Sequence, residues 1–188
     1  MNKSNLISDK IKPMHIACSS FDLSLDALED QLESFEKRYG LQINPDFQRG
    51  VVWNEDQQIK FVENLIRGTV SDSAKTILFN APNYKRASEV KLNNLSKDML
   101  CIDGLQRITA CLKFIRGDFT IFKKELGGVG KDYFEDTEFS LMNVEIKMQI
   151  FNLTDKRDVL ELYLMINDTG VAHTQDELNR VRDMIEAL

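Results

Sequence analysis

Residues 99–117 read Met-Leu-Cys-Ile-Asp-Gly-Leu-Gln-Arg-Ile-Thr-Ala-Cys-Leu-Lys-Phe-Ile-Arg-Gly, and this stretch decides the fold. Its first four residues are apolar and form a short run, as buried strands do. The pair Asp103-Gly104 favours a tight turn. Apolar residues then recur at helical spacing until Gly117, at Leu105, Ile108, Leu112 and Ile115. The stretch predicts a strand, a glycine turn and a helix in direct succession.

Helix and strand patterns continue on both sides of this unit. A helix is predicted from Ser24, its N-cap, to Gly40, and another is opened by a capping box between Asn54 and Gln57. The other predicted elements are strands at residues 76–80, 119–122 and 144–150, a polar loop or hairpin at 82–97, a helix at 154–166, and a last helix opened by Thr174 and Glu177. The first 20 residues are expected to form an arm or a first strand. We expect one mixed α+β domain over residues 1–188.

The composition favours a globular protein and excludes several kinds of site. Of 188 residues, 43% are hydrophobic and 29% are charged, which is enough apolar surface for a core. No apolar run approaches the ~18 residues of a membrane span and no signal-peptide core follows Met1, so we expect a cytoplasmic protein without membrane contact. Three cysteines without a CxxC pair argue against a disulfide framework, and two distant histidines exclude a His-rich zinc site.

The glycine turn is the strongest candidate for a chemical site. The first turn of a helix leaves backbone N–H groups unpaired and carries partial positive charge, so it attracts anions. Gly104 would let a phosphate approach the backbone, and Arg107 would add a charge-assisted contact. Asp103 is either the helix N-cap or a carboxylate that holds Mg²⁺ or a water. The alternative is structural: Asp103 and Gln106 form a capping pair, and Arg107 is a solvated charge.

A second candidate segment is the loop Pro45-Asp-Phe-Gln-Arg49, followed by Trp53. Gln48 offers both donors and an acceptor, and Arg49 offers a rigid fork of donors, so the two side chains suit a phosphate or a base. The alternative is that Phe47, Val52 and Trp53 anchor the loop in the core while Arg49 pairs with a surface acid.

A third segment, residues 165–170, ends the helix predicted at 154–166. Asn167 either terminates this helix or makes a polar contact to a ligand, and His173 is predicted to be a surface side chain rather than a general base.

The glycines at 127, 128 and 130 resemble a phosphate loop, but the motif is not met. Glu125 and Asp132 occupy positions where that motif needs glycine and Ser or Thr. We interpret this segment as a loop beside a minor basic patch of Lys123, Lys124 and Lys131. Cys101 and Cys111 are expected to be buried and inert.

Together these segments resemble the N-terminal domain of GmrSD-type, modification-dependent restriction endonucleases, a member of the ParB/sulfiredoxin-like superfamily. The resemblance rests on three motifs in the same order over roughly residues 20–185: Pro45-Asp-Phe-Gln-Arg49 with Trp53, Ile102-Asp-Gly-Leu-Gln-Arg107-Ile-Thr, and Tyr163-Leu-Met-Ile-Asn167-Asp-Thr-Gly170 with Thr174 and Glu177. It implies a small β-sheet core with surrounding helices and a helical C-terminal part. In this family the domain is associated with nucleotide binding and hydrolysis, and with DNA recognition or nicking.

The resemblance also implies roles for individual residues. Asp103, Gly104, Gln106 and Arg107 would line a phosphate site, Gln48 and Arg49 would face it, and Asn167 would add a polar contact. Asp103, Arg107 and Arg49 are then the predicted catalytic residues, with Asp103 as the ligand of a possible Mg²⁺. Gln48, Gly104, Gln106 and Asn167 are the predicted substrate-binding residues.

Two departures from the family pattern qualify this expectation. Leu105 occupies a position where the family usually has glutamine, so a polar contact is lost or the side chain simply packs. Full-length members continue into an HNH-type metal nuclease domain, and we expect no HNH cleavage from these 188 residues.

Three functions remain open from the sequence. The first is a nucleoside-triphosphate-dependent phosphohydrolase or nickase that acts on or beside DNA. The second is a non-catalytic module that binds nucleotide, DNA or a partner protein and regulates a defence system. The net charge of −6 favours the module, because any nucleic-acid contact needs a local basic patch. The third is a degenerate scaffold in an oligomer.

Overall fold

The computed structural model describes residues 17–86, 90–167 and 175–188. The strands are β1 (Ser19–Ser24), β2 (Thr76–Asn80), β3 (Leu100–Asp103) and β4 (Glu145–Phe151). The α-helices are α1 (Leu28–Tyr39), α2 (Glu55–Ile66), α3 (Asp72–Lys75), α4 (Leu105–Ile115), α5 (Lys123–Leu126), α6 (Lys156–Asn167) and α7 (Gln175–Glu186). Short 3-10 helices span Leu25–Ala27, Lys131–Phe134 and Leu141–Asn143. The predicted mixed α+β class is confirmed.

The four strands form one mixed sheet in the order β1-β4-β2-β3. β4 is antiparallel to β1 and parallel to β2, and β3 is antiparallel to β2. β3 is therefore an edge strand, and its last residue, Asp103, stands opposite Leu78 of β2. This arrangement brings the glycine turn after β3 to one edge of the sheet.

Apolar side chains cover both faces of the sheet, because successive residues of a strand point to opposite sides. In β3, Cys101 belongs to the larger core cluster, which also holds most of the buried apolar residues of α1, α2 and α4. Leu100 and Ile102 belong to a smaller cluster with Phe47 and most of the buried apolar residues of α6 and α7. The sheet therefore lies between two groups of helices, and β3 connects the two cores.

Local sequence signals explain several element ends. Gly40 closes α1 in the left-handed conformation, with φ of 63°. The capping box at the start of α2 is formed in both directions: the Asn54 side chain accepts from the Gln57 N–H at 2.9 Å, and the Gln57 side chain accepts from the Asn54 N–H at 3.0 Å. In β4, Ile146, Met148 and Ile150 are buried in alternation, as their period of two predicts.

Two sequence predictions were wrong. Residues 119–122 form no strand: only Ile121 makes a β-bridge, to Val129, and Phe122 has a φ of 53° before α5. Their apolar character comes from burial of a loop in the larger core, not from sheet pairing. Ser24 does not cap α1, because it is the last residue of β1 and a 3-10 turn separates it from the helix.

Other predicted boundaries shift by one or two residues: β3 and β4 each end one residue later, and α6 begins at Lys156. Thr174 and His173 lie outside the described residues. Among the helices that are described, none is long and apolar enough to cross a membrane.

Candidate functional site

The turn between β3 and α4 requires a glycine for two separate reasons. Gly104 has a φ of 117°, which L side chains rarely adopt. A Cβ at this position would also lie 2.9 Å from Cγ2 of Ile77, a fully buried side chain of β2. Gly104 is thus the N-cap of α4, and no side chain of the described residues caps that helix. The first-turn N–H groups of α4 remain available to an anion.

Arg107 joins α4 to the sheet. Its Nη2 lies 2.7 Å from Oδ2 of Asp103, and its Nη1 donates to the carbonyl oxygen of Thr76, the first residue of β2. Both charged side chains are mostly covered, with exposed fractions of 18% for Arg107 and 27% for Asp103. Arg107 is therefore not a solvated charge.

The Gln106 side chain holds the backbone of the loop at residues 50–53. Its Oε1 accepts from the N–H groups of Val52 and Trp53, both at 3.0 Å, and its Nε2 donates to the carbonyl of Gly50 at 2.8 Å. The alternative that Asp103 and Gln106 form a capping pair is therefore wrong, because each side chain bonds elsewhere. Gln106 thus positions the loop, and its predicted contact with substrate stays a prediction.

The loop that carries Gln48 and Arg49 is tied to both β3 and α7. Gln48 Nε2 donates to the carbonyl of Cys101, and Arg49 Nη1 lies 3.3 Å from Oε2 of Glu177. Arg180, one turn after Glu177, donates to the carbonyls of Phe47 and Gln48 at 3.2 and 3.0 Å. Arg49 therefore pairs with an acid of α7. The Glu177 side chain is only partly exposed, so it is not the fully exposed surface acid of the alternative interpretation.

The end of α6 contributes Tyr163, Ile166 and Asn167 to the site. Asn167 is 7% exposed, and its Nδ2 donates to the carbonyl of Tyr163 one turn earlier at 2.7 Å. The Tyr163 ring packs edge-on against Phe47, with ring centroids 5.1 Å apart. Burial, and next the charge of Glu177, raise the pKa of Tyr163 to about 12, so its phenol remains protonated at neutral pH.

These elements enclose one cleft of about 230 Å³ at the edge of the sheet. Seven of its lining residues are the predicted catalytic and substrate-binding residues, Gln48, Arg49, Asp103, Gly104, Gln106, Arg107 and Asn167. The two arginines, far apart in sequence, thus belong to one cleft. Typical ligand pockets measure roughly 300–1,000 Å³. The cleft is therefore smaller than a typical ligand pocket, and a drug-sized ligand bound there would extend beyond it.

A comparison with known protein families tests the resemblance that the three motifs suggested. A family model described as GmrSD restriction endonuclease, N-terminal domain, matches residues 28–182. The chain belongs to this family. The resemblance based on the three motifs is thus confirmed. No curated protein and no solved structure matches the chain, so the ParB/sulfiredoxin-like assignment stays a prediction.

This GmrSD N-terminal domain also uses residues that the sequence analysis did not assign to the site. Trp53, Leu105, Tyr163 and Ile166 line the cleft. Leu105 is 6% exposed, so the side chain that replaces the family's glutamine packs in the cleft wall. Tyr163 lies four residues before Asn167, and helical i, i+4 spacing is the signal that would have found it.

Mg²⁺ fits the residues of this GmrSD domain poorly on their own. Asp103 is the one carboxylate among the described residues that line the cleft, and it is bonded to Arg107. Within residues 17–86, 90–167 and 175–188, no three His, Cys, Asp or Glu side chains are grouped to hold an ion. Mg²⁺ is usually held by one or two carboxylates together with substrate phosphates. Coordination of Mg²⁺ by Asp103 stays a prediction.

Proposed function

We propose that this restriction-endonuclease-associated domain binds the phosphate chain of a nucleoside triphosphate at the start of α4 and hydrolyses it. The observation that carries the proposal is the uncapped first turn of α4, which lines the same cleft as Arg49 and Arg107. Unpaired N–H groups, the positive end of the helix dipole and two guanidinium groups all favour a polyanion. Membership of a restriction endonuclease family supports DNA as a further partner.

Arg49 is the side chain that we expect to respond to the ligand. Its ion pair with Glu177 is long, at 3.3 Å, and the two side chains are 16% and 25% exposed. A phosphate group can bind a guanidinium group through two hydrogen bonds and carries more charge than a carboxylate, so it would compete with Glu177 for Arg49. Arg107 would keep its bond to Thr76 and direct its remaining donors to the ligand.

Hydrolysis would use the same residues. Asp103 would orient the attacking water, and Arg49 and Arg107 would offset the charge that develops on the transferred phosphoryl group. Gln48 and Asn167 would position the substrate.

A nucleotide panel tests the binding step. We expect ATP, GTP, CTP or UTP to bind in calorimetry, with or without DNA, and Arg49→Ala to weaken binding by about tenfold to a hundredfold, or ~1.5–3 kcal/mol. Arg67→Ala is the matched control, because Arg67 also pairs with a glutamate, Glu125, but lies outside the cleft. Equal affinities in the two variants would reject the role of Arg49.

The second candidate is a non-catalytic module that binds nucleotide, DNA or a partner protein and regulates a restriction or defence system. It is favoured by the pairing of Asp103 with Arg107, which occupies the proposed water-orienting carboxylate. Phosphate release separates the two candidates. Turnover that is lost in Asp103→Asn, while nucleotide binding is kept, supports the enzyme. Stoichiometric binding without release, with or without Mg²⁺, supports the module.

A further inference from the structure

The cleft contains an apolar and aromatic part that a phosphate does not need. Trp53 is the largest of these side chains, and the others are Ile102, Leu105, Tyr163 and Ile166. Three sequence neighbours of these residues are exposed and apolar: Val51 and Val52, just before Trp53, are 53% and 46% exposed, and Met165, next to Ile166, is 56% exposed. A ligand held at the arginines and longer than phosphate would therefore meet an apolar surface.

Both the backbone and the ring of Trp53 have fixed contacts. Its backbone N–H donates to Gln106 Oε1 at 3.0 Å, and its backbone carbonyl accepts from Nε2 of the buried Gln58 at 2.9 Å. Its ring packs against Phe61, with ring centroids 5.4 Å apart. The ring is thus a half-buried, fixed surface in the wall of the cleft. A fixed aromatic ring loses little conformational freedom when a ligand stacks on it.

The chemistry that combines a polyanion with a flat aromatic group is that of a nucleotide. Nucleobases stack on aromatic side chains with little dependence on sequence, because every base has a π-face. The lining of the cleft agrees with this division: the arginines and the start of α4 would hold the phosphates, and Trp53 in the same lining would meet the base.

We propose that Trp53 is the base-binding residue of this cleft, and that it stacks on the nucleobase of the ligand whose phosphates lie at α4. This inference rests on the proposed phosphate site. The base belongs either to a free nucleoside triphosphate or to a strand of DNA, and the chemistry of recognition is the same for both.

The test uses Trp53 as its own reporter, since it is the one tryptophan of the chain. We titrate the full chain with ATP, CTP, inorganic tripolyphosphate and a short single-stranded DNA, and follow tryptophan fluorescence and calorimetry. We expect base-containing ligands to quench the fluorescence and tripolyphosphate to bind without quenching. Quenching by DNA but not by ATP or CTP would assign the base to DNA.

A variant series separates stacking from structural support. Trp53→Leu should weaken the binding of base-containing ligands by roughly tenfold to a hundredfold and leave tripolyphosphate binding unchanged. Trp53→Phe, which keeps a ring, should retain most of the affinity. Tyr133→Leu is the matched control, because Tyr133 is an aromatic residue that is 58% exposed outside the cleft.

Each outcome decides between this inference and the proposed function. Equal losses for ATP and tripolyphosphate in Trp53→Leu would give Trp53 a structural role and overturn the inference. Binding of tripolyphosphate that depends on Arg49, without any preference for a base, would leave the phosphate site intact and overturn only the base site. No binding of any of these ligands would overturn both.

Discussion

Two glycine-bearing segments of this domain look alike in sequence and differ in structure. Gly104 lies between a buried strand and an 11-residue helix, against the Ile77 side chain and beside the two arginines of the cleft. The segment at 127–130 follows a helix of four residues, and Gly127 and Gly130 have nothing within 4 Å of a Cβ position. The number of glycines therefore does not identify a phosphate site. The proposed phosphate site at Gly104 rests instead on the buried strand before the glycine, the long helix after it and the arginines of the same cleft.

The largest expected effect that separates the two segments comes from Gly104→Ala. We expect it to lower the free energy of unfolding by about 3 kcal/mol, because the backbone is strained at φ of 117° and the new methyl group overlaps Ile77. Urea denaturation measures the change. In an Ile77→Ala background the same substitution should cost less, because Cγ1 and Cγ2, the two nearest atoms, are gone. A change within about 0.5 kcal/mol in the wild-type background would contradict the comparison.

Arg107→Ala is expected to have the next largest effect. It removes the bonds to Asp103 and Thr76 and leaves a partly covered carboxylate without its cation, so we expect a loss of about 1.5–3 kcal/mol. Arg116→Ala is the control, at the C-cap of the same helix. Arg116 is 56% exposed and pairs with Glu29, so its loss should cost less than about 1 kcal/mol. Chemical denaturation that gives equal costs for the two variants would show that Arg107 does not hold the turn.

The thiols beside the glycine turn predict a pH dependence. Burial raises the pKa of both Cys101 and Cys111 from 9.0 to about 12, so the folded state keeps these protons more tightly than the unfolded state does. Their contribution to stability is full below pH 9 and is lost as pH rises towards 12. At pH 10 we expect a loss on the order of 1 kcal/mol per thiol.

Denaturation curves at pH 8 and pH 10 measure this loss, and Cys111→Ala should reduce the difference by about half. In the native protein at pH 8, a thiol reagent should modify Cys18, which is exposed, well before the two buried cysteines. Rapid modification of Cys101 would indicate that the strand before the glycine turn opens.

The smallest expected effect is at the second segment. Gly130 has an extended backbone, with φ of −90° and ψ of −177°, and open space around its Cβ position. Gly130→Ala should therefore change stability by no more than about 1 kcal/mol, in the stabilising direction, because it restricts the unfolded chain. A thermal melt that shows clear destabilisation would mean that this loop is more constrained than its neighbours indicate.

Much of the fold was predictable because its signals are local. The Asn54–Gln57 capping box and the left-handed Gly40 follow from residues a few positions apart, and β2 has the predicted bounds. Residues 119–122 were misassigned for a related reason. A short apolar run reports burial, and it does not report whether a neighbouring strand is available for pairing.

The contacts that shape the cleft could not be predicted from spacing. Gln106 and the backbone that it holds at Val52 are 54 positions apart, and Arg49 and Glu177 are 128 apart. Many acids and backbone groups were equally eligible partners in sequence. The motifs indicated which residues share a cleft, but the pairing of Arg49 with α7 was visible only in three dimensions.

The amino-acid sequence by itself determined the family, the strand–glycine–helix unit and the identity of the two arginines, because turns, caps and helical faces depend on neighbours within about one helical turn. Only the folded structure showed that Arg49 pairs with Glu177, that Gln106 supports a loop and that Trp53 lines the cleft. The physical reason is that the sheet order β1-β4-β2-β3 and the packing of α6 and α7 against β3 join segments that chain spacing leaves independent.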